Sequence, residues 1–144
     1  MITNEVQYRS TKAHLERFQE AIANLELDRS GTGSKRRGLE LSALHSQAAD
    51  LQAEIEEYEL LRSGTQIIFE APSLKDLAGA LVKARIAKGW TQRQLAEALG
   101  VAEQQIQRYE STGYSSASLA RLCDVAEALG AQVRETVSLA TAAA

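Results

Sequence analysis

Two short apolar repeats that meet at one glycine constrain the fold more than any other feature of this sequence. Leu95 and Leu99 fall on one face of the first repeat, and Ile106 and Tyr109 fall on one face of the second. Gly100 lies between the repeats, where a glycine permits the positive φ of a sharp turn without a Cβ clash. The pattern predicts two short helices that pack against each other across a tight corner.

Capping signals place these two helices inside a four-helix unit. Ser73 is a candidate N-cap with Asp76 three residues later, and Thr91 is a second N-cap with Gln94 as its capping-box partner. The four predicted helices cover residues 74–88, 92–99, 102–110 and 118–129. Pro72, the only proline, precedes the first of them and marks a domain boundary.

The outward face of the predicted helix 102–110 is polar and carries amide and guanidinium groups. With Ile106 and Tyr109 turned inward, five polar side chains remain outside: Glu103, Gln104, Gln105, Gln107 and Arg108. Gln bonds bidentately to adenine and Arg to guanine in the major groove of DNA. This face is therefore a candidate surface for reading base edges.

The segment from Leu77 to Val133 resembles the Xre or phage-repressor type of helix-turn-helix family. The resemblance covers about 40% of the chain and rests on Leu81-Val-Lys-Ala-Arg85, Lys88-Gly-Trp-Thr-Gln92, Leu95-Ala-Glu-Ala-Leu-Gly-Val101, Ile106-Gln-Arg-Tyr-Glu110 and Ala126-Glu-Ala-Leu-Gly130. It implies double-stranded DNA as the partner, with the helix at 102–110 in the major groove.

By that resemblance, nine residues are assigned to DNA. Gln92, at the start of the second helix, would hold a phosphate, and Gln104, Gln105 and Arg108 would face base edges. The complete predicted DNA-binding set is Gln92, Arg93, Glu103, Gln104, Gln105, Gln107, Arg108, Thr112 and Tyr114. Two departures from the family pattern stand out. Ala102 replaces the usual Ser or Thr cap, and the loop after the third helix reads Gly113-Tyr-Ser-Ser-Ala.

The N-terminal half predicts a second unit made of two amphipathic helices. Apolar residues recur at steps of three and four, first through Thr11, Leu15, Phe18, Ile22 and Leu25, then through Leu41, Leu44, Ala48, Leu51, Ile55 and Tyr58. The glycine-rich segment 28–38 separates them, which predicts an antiparallel, coiled-coil-like hairpin. Two helices alone bury little surface, so we expect the hairpin to pack against a second copy. The predicted homodimer interface comprises Leu15, Phe18, Ile22, Leu51, Ile55 and Tyr58.

The predicted fold is therefore all-α, with an N-terminal hairpin followed by a phage-repressor-like bundle. The predicted divisions are residues 1–64 for the hairpin, 65–72 for a linker or short strand, 73–131 for the DNA-binding domain and 132–144 for a tail or strand. Residues 67–69 and 133–139 are rich in β-branched residues, and their pairing as strands, within or between chains, is an alternative route to a dimer.

Charge and composition leave DNA binding open and argue against several other classes. The net charge is −3, but residues 1–64 hold eight Lys and Arg against eleven Asp and Glu, whereas residues 72–131 hold seven against six. The C-terminal half is thus weakly basic. No stretch approaches the ~20 apolar residues of a membrane span, and a single cysteine suits a reducing compartment. We expect a cytoplasmic protein that contacts no membrane.

The remaining histidine, cysteine, tryptophan and basic residues are not predicted to form a functional site. His14 and His45 lie on different helices without a second ligand, so no metal site is predicted, and no cofactor motif is present. No nucleophile has a histidine or acid partner in the sequence, so we expect no enzyme activity. Cys123 and Trp90 are predicted to belong to the core, and Lys35-Arg36-Arg37 to a solvated loop.

Three functional hypotheses follow. The first is a dimeric, autoregulatory transcriptional repressor that binds an inverted-repeat operator. The second is an antitoxin of a toxin-antitoxin pair, in which the hairpin masks a protein toxin. The third is an interaction scaffold that sequesters a partner through the hairpin and binds no DNA. DNA footprinting separates the first two from the third, because a fold alone does not establish a function.

Overall fold

The computed structural model describes residues 1–28 and 33–140, and these residues form six α-helices and no strand. The helices are α1 Glu5–Leu27, α2 Ser34–Arg62, α3 Leu74–Ala87, α4 Gln92–Leu99, α5 Glu103–Ser111 and α6 Leu119–Leu129. The all-α prediction is confirmed. In the described part of the chain, no helix is long and apolar enough to cross a bilayer.

Helices α1 and α2 form the predicted hairpin. Its antiparallel direction is shown by two contacts. Arg62, at the end of α2, forms an ion pair with Glu5 at the start of α1, with an Nη1–Oε2 distance of 3.0 Å, and His45 Nε2 lies 3.6 Å from Glu26 Oε1 near the other end. Asn4 caps α1 by accepting a hydrogen bond from the Gln7 N–H. The apolar stripes of both helices face each other, as their spacing predicts.

The apolar face of the hairpin is not available to a second copy of the chain. Leu15, Ile55 and Tyr58 are buried within one chain, and they belong to the same core as Leu77 and Leu81 of α3. Four residues of the predicted dimer interface are buried within the single chain, and their role is corrected accordingly: Leu15, Ile22, Ile55 and Tyr58. Phe18 and Leu51 are half-buried. The hairpin packs against the chain's own C-terminal bundle and not against a second copy of itself.

An ion pair and the first residues of the chain also join the hairpin to the bundle. Lys83 of α3 contacts Glu57 of α2 with an Nζ–Oε1 distance of 2.7 Å. Ile2 and Thr3 are buried, although they precede the first helix. The two predicted units thus share one hydrophobic core, which fixes their relative position.

The connection between α1 and α2 is shorter than predicted. Helix α2 begins at Ser34, so Lys35, Arg36 and Arg37 lie in its first turns and not in a loop; Gly38 is also helical. Gly33 precedes the helix with φ +86°, and residues 29–32 lie outside the described part of the chain. Four polar residues after the glycine, with an Arg36–Glu40 pair at i and i+4, support the extra turn.

The C-terminal bundle follows its capping signals closely. Ser73 caps α3 through the Asp76 N–H, and Thr91 and Gln94 form the complete capping box of α4. Gly100 ends α4 with φ +68°, so the predicted corner is confirmed. Ala102 precedes α5 without a side-chain cap. Consequently the first N–H groups of α5 are not capped by a side chain at that position.

Trp90 and Cys123 are both predicted to belong to the core, and the structure places them differently. Trp90 is half-buried and packs against the core, with the Lys88 ammonium 4.8 Å from its ring centroid. Cys123 is exposed on α6, so its assignment to the core is wrong. The buried face of α6 is centred on Val125 and Leu129. Cys123 lies two residues before Val125, about 200° around the helix, and therefore points away from the core.

Candidate nucleic-acid interface

The inward side of the α4–α5 unit fixes the position of its outer face. Leu95 and Ile106 are fully buried, and Ala96 is nearly so, where α4 and α5 approach each other. The Val101 N–H donates to the Ala96 carbonyl at 3.0 Å and closes the turn. Because both helices are held by the core, the polar face of α5 is a rigid surface.

Three of the predicted base-reading or phosphate-binding residues lie exposed on α5. Gln104, Gln107 and Arg108 are exposed, while Gln105 is half-buried. Within the described residues, the side chains of these four make no hydrogen bond or ion pair. Their amide and guanidinium donors therefore remain available to an external ligand. A helix of nine residues with this face fits the width of the DNA major groove.

Glu103 and Arg93, both in the predicted set, contact each other across the turn. Arg93 Nε lies 3.4 Å from Glu103 Oε2, and the Arg93 side chain is largely exposed. The carboxylate would repel a phosphate, and the neighbouring guanidinium offsets that charge. The pair connects the first turn of α4 to the first turn of α5, at the edge of the candidate surface.

The structure corrects the role predicted for the Gln92 side chain. Gln92 is only 5% exposed. Its Nε2 donates to Glu110 Oε2 at 2.7 Å, and its Oε1 accepts from Asn4 Nδ2 at 3.1 Å. The side chain is therefore held inside the protein and is not free to bind phosphate. Only the main-chain N–H groups at the start of α4 are placed for such a contact.

Behind Gln92 lies a buried ion pair that the sequence analysis missed. Arg85 of α3 contacts Glu110 of α5 bidentately, through Nε–Oε1 at 2.6 Å and Nη2–Oε2 at 2.8 Å. The Arg85 guanidinium also donates to the carbonyls of Trp90 and Thr3, at 2.7 and 2.6 Å. A signal was present, because Arg85 stands on the apolar face of its helix, where an unpaired charge would be costly.

This network connects all the elements that position α5. Arg85 comes from α3, Gln92 from α4, Glu110 from α5, and Thr3 and Asn4 from the segment before α1. Among the described residues, no buried side-chain nitrogen or oxygen lacks a hydrogen-bond partner. A fully paired buried network favours one arrangement of the helices, because every alternative leaves a charge or amide unpaired.

Thr112 and Tyr114, the last two residues of the predicted DNA-binding set, do not belong to the outer face of α5. Tyr114 is 4% exposed, has φ +58° and stacks on Tyr109 with ring centroids 5.3 Å apart. Burial raises the pKa of Tyr114, with the Glu110 carboxylate adding to the effect. Its predicted contact with the DNA backbone is corrected to a core role. Thr112 is exposed, but its hydroxyl donates to the Arg108 carbonyl at 2.9 Å.

Two lysine side chains of the bundle already have partners within the chain. Lys83 is engaged by Glu57, and Lys88 Nζ donates to the Leu129 carbonyl at 3.0 Å. Arg108 is the cation of the α5 face without an ion-pair partner in the described residues. The candidate surface is therefore rich in neutral amide donors and only modestly basic.

A comparison with protein-family models identifies the bundle. The helix-turn-helix family model matches residues 81–135, which run from the middle of α3 to the segment after α6. No curated protein and no solved structure matches the chain. The matched residues contain the capping box, the Gly100 corner and the polar face of α5 in their expected order. Residues 81–135 therefore form a helix-turn-helix domain of the Xre and phage-repressor type, a DNA-binding domain found in transcription regulators.

Proposed function

We propose that this protein is a transcriptional repressor that binds double-stranded DNA sequence-specifically. The observation that carries the proposal is the outer face of α5, where Gln104, Gln107 and Arg108 are exposed without partners in the described residues. In helix-turn-helix proteins the second helix of the motif lies in the major groove, and its N-terminal residues contact base edges. Gln104 and Gln105 occupy those positions here.

The rigid packing of α5 against the core supports sequence-specific contacts to bases over non-specific binding to phosphates. The α5 face offers amide groups and one unpaired guanidinium, so little affinity can come from charge alone. Bidentate contacts from Gln and Arg each discriminate by ~1–3 kcal/mol against the wrong base. The buried network around Glu110 holds the helix still enough for such contacts to form.

Autoregulation and a symmetric operator belong to the same proposal. Helix-turn-helix dimers bind half-sites that lie about one helical turn, ~34–36 Å, apart. We therefore expect an inverted repeat upstream of the protein's own reading frame, with repression by occupancy of that site. An antitoxin role stays a prediction, tested by a toxin-like neighbouring reading frame whose product co-purifies with this chain.

The direct test is footprinting with the full chain on its own upstream region, together with selection from a random DNA library. The proposal predicts a protected, pseudo-symmetric site and enrichment of one sequence family. Enrichment from the library without protection upstream would overturn autoregulation only. If neither experiment yields a preferred sequence at low salt, the DNA proposal is wrong and the scaffold hypothesis takes its place.

A further inference from the structure

The residues before α1 are held in place, although they precede the first helix. Ile2 is 3% exposed and belongs to the core that the hairpin shares with the bundle. The Gln7 side chain accepts hydrogen bonds from the Thr3 N–H and from the Thr3 hydroxyl, at 2.8 and 3.0 Å. Asn4 caps α1. This segment is therefore tied down, whereas the ends of most chains are poorly ordered.

Two hydrogen bonds join this segment to the residues that hold α5. The Thr3 carbonyl accepts from Arg85 Nη2 at 2.6 Å, and Asn4 Nδ2 donates to Gln92 Oε1 at 3.1 Å. Arg85 and Gln92 in turn donate to the Glu110 carboxylate. Glu110 lies in the last turn of α5. The segment before α1 and the candidate recognition helix are therefore linked through a single side chain on each route.

The orientation of the Gln92 amide depends on Asn4. Gln92 is buried, so water does not replace a lost partner of its side chain. Without the Asn4 donor, Gln92 Oε1 is left unpaired while Nε2 still faces Glu110. If the amide turns to satisfy its oxygen, Glu110 Oε2 loses the donor that stands 2.7 Å away. In both cases one buried group loses its partner, and the end of α5 is held less firmly.

We propose that Asn4 is a positioning residue for base recognition. Through Gln92 and Glu110 it holds α5 in the orientation in which Gln104 and Arg108 meet base edges. The inference deepens the proposed function and rests on it. Asn4 lies outside residues 81–135, so the family match assigns it no role. Asn4 itself contacts no DNA in this arrangement and acts only through the residues behind α5.

A change in the orientation of α5 affects contacts to bases more than contacts to phosphates. A bidentate contact forms only when both of its hydrogen bonds are aligned, which tolerates displacements of about 0.5 Å and 10–20°. Phosphate contacts carry no direct sequence information. The loss of Asn4 is therefore expected to lower discrimination between DNA sequences and to leave affinity for non-specific DNA nearly unchanged.

The first experiment uses Asn4→Ser in the full chain. Serine keeps the N-cap, because its hydroxyl accepts from the Gln7 N–H, but its shorter side chain does not reach Gln92. The measured quantity is the ratio of dissociation constants for a single-base variant, at the base pair read by Arg108, and for the selected operator. A bidentate contact makes this ratio ~5 to 150. We expect Asn4→Ser to lower it by at least about threefold, with non-specific affinity changed by less than about twofold.

The ratio separates positioning from a loss of stability. Partial unfolding lowers the competent fraction and raises every dissociation constant by the same factor, so it leaves the ratio unchanged. Ser118→Ala is the matched control, because it removes the N-cap of α6 and α6 contributes no residue to the network around Glu110. This variant should keep the wild-type ratio. An unchanged ratio in Asn4→Ser, or an equal fall in both variants, would overturn the proposal.

The second experiment tests the route through Gln92. Gln92→Ala breaks the same link from its other side and should lower the ratio as well. Adding Asn4→Ser to Gln92→Ala should lower the ratio no further, because Asn4 then has no side chain to act through. Independent, multiplying effects of the two substitutions would contradict this route. A wild-type ratio in Gln92→Ala would overturn the proposal even if Asn4→Ser failed to fold.

Hydrogen exchange of the free protein provides a readout without DNA. The amides of α5 should exchange faster in Asn4→Ser than in the wild type, and those of α6 should not. Unchanged exchange in α5 would contradict a positioning role.

Failure of this inference differs from failure of the proposed function. If the wild type selects an operator and Asn4→Ser keeps the whole ratio, the repressor stands and only the role of Asn4 is rejected. If the wild type selects no DNA sequence, the repressor is rejected, and the role of Asn4 in base recognition is rejected with it.

Discussion

Asn4 donates a hydrogen bond from Nδ2 to Gln92 Oε1 at 3.1 Å, and this bond joins the N-cap of α1 to the first residue of α4. The two residues are 88 positions apart in sequence. Through Gln92 the bond continues to Glu110 of α5, so the N-terminal segment contributes to the placement of the candidate recognition helix. The N-terminal segment is thus hydrogen-bonded to the helix-turn-helix domain as well as packed against it.

Replacing Asn4 by Asp tests this relationship. Aspartate keeps the N-cap, since its carboxylate accepts from the Gln7 N–H, but it has no donor for Gln92 Oε1. We expect the free energy of unfolding to fall by ~1–3 kcal/mol, the cost of an unpaired buried acceptor. Urea unfolding measures the change. In a Gln92→Ala background the same substitution should cost much less, and additive costs would contradict the contact.

Replacing Arg85 by Met should destabilise the protein strongly. The substitution leaves the Glu110 carboxylate buried without its bidentate partner, and breaking one side of a buried pair costs ~3–5 kcal/mol. Arg36→Met is the matched control, because it breaks an exposed pair with Glu40 that contributes ~0–1 kcal/mol. Equal losses in thermal or urea unfolding would contradict the structural role of the Arg85 network.

Stability should fall at alkaline pH partly through Tyr114. Burial holds the pKa of Tyr114 above its ordinary value of 10.0, so the folded state favours the neutral phenol. Its contribution is fully present below pH 10 and is lost as the pH rises from there, because the unfolded chain ionises first. Urea unfolding at pH 8 and pH 11 should show a smaller alkaline loss in Tyr114→Phe than in the wild type. Equal losses would contradict burial of the phenol.

Replacing Glu103 by Gln should increase affinity for DNA of any sequence. The change removes a carboxylate near the phosphates and releases Arg93 from its 3.4 Å ion pair. A freed guanidinium that reaches one phosphate steepens the dependence of log K on log salt by ~0.9. Glu40→Gln, which frees Arg36 at the far end of the hairpin, should change neither quantity. Loss of discrimination at one base pair would instead show that Glu103 reads a cytosine.

The local elements could be predicted from the sequence because their signals are local. The capping box at Thr91, the turn at Gly100 and the apolar stripes of the hairpin are each defined within a few residues. The packing between distant elements could not be read in that way. Nothing near Leu15 or Ile55 in the sequence indicates whether the partner surface is a second chain or α3.

The predicted site was incomplete for the same reason. The polar face of α5 follows from its own periodicity, and the structure places Gln104, Gln107 and Arg108 on the exposed side as expected. The phosphate contact of Gln92 is implied by the resemblance to the helix-turn-helix family, which does not cover the segment before α1. Here Asn4, from outside the matched residues, accounts for one of its two side-chain hydrogen bonds. A residue's exposure depends on what the rest of the chain packs against it.

The most direct test of the central claim, that α5 reads bases in the major groove, is a competition series with Arg108→Ala and single-base variants of the selected operator. Removing a bidentate contact should cost ~1–3 kcal/mol and relax preference at one base pair in each half-site. Arg36→Ala, which removes an exposed guanidinium from the far hairpin, should bind every variant as the wild type does. If Arg108→Ala keeps full affinity and full discrimination at every base pair, α5 does not dock in the groove as proposed.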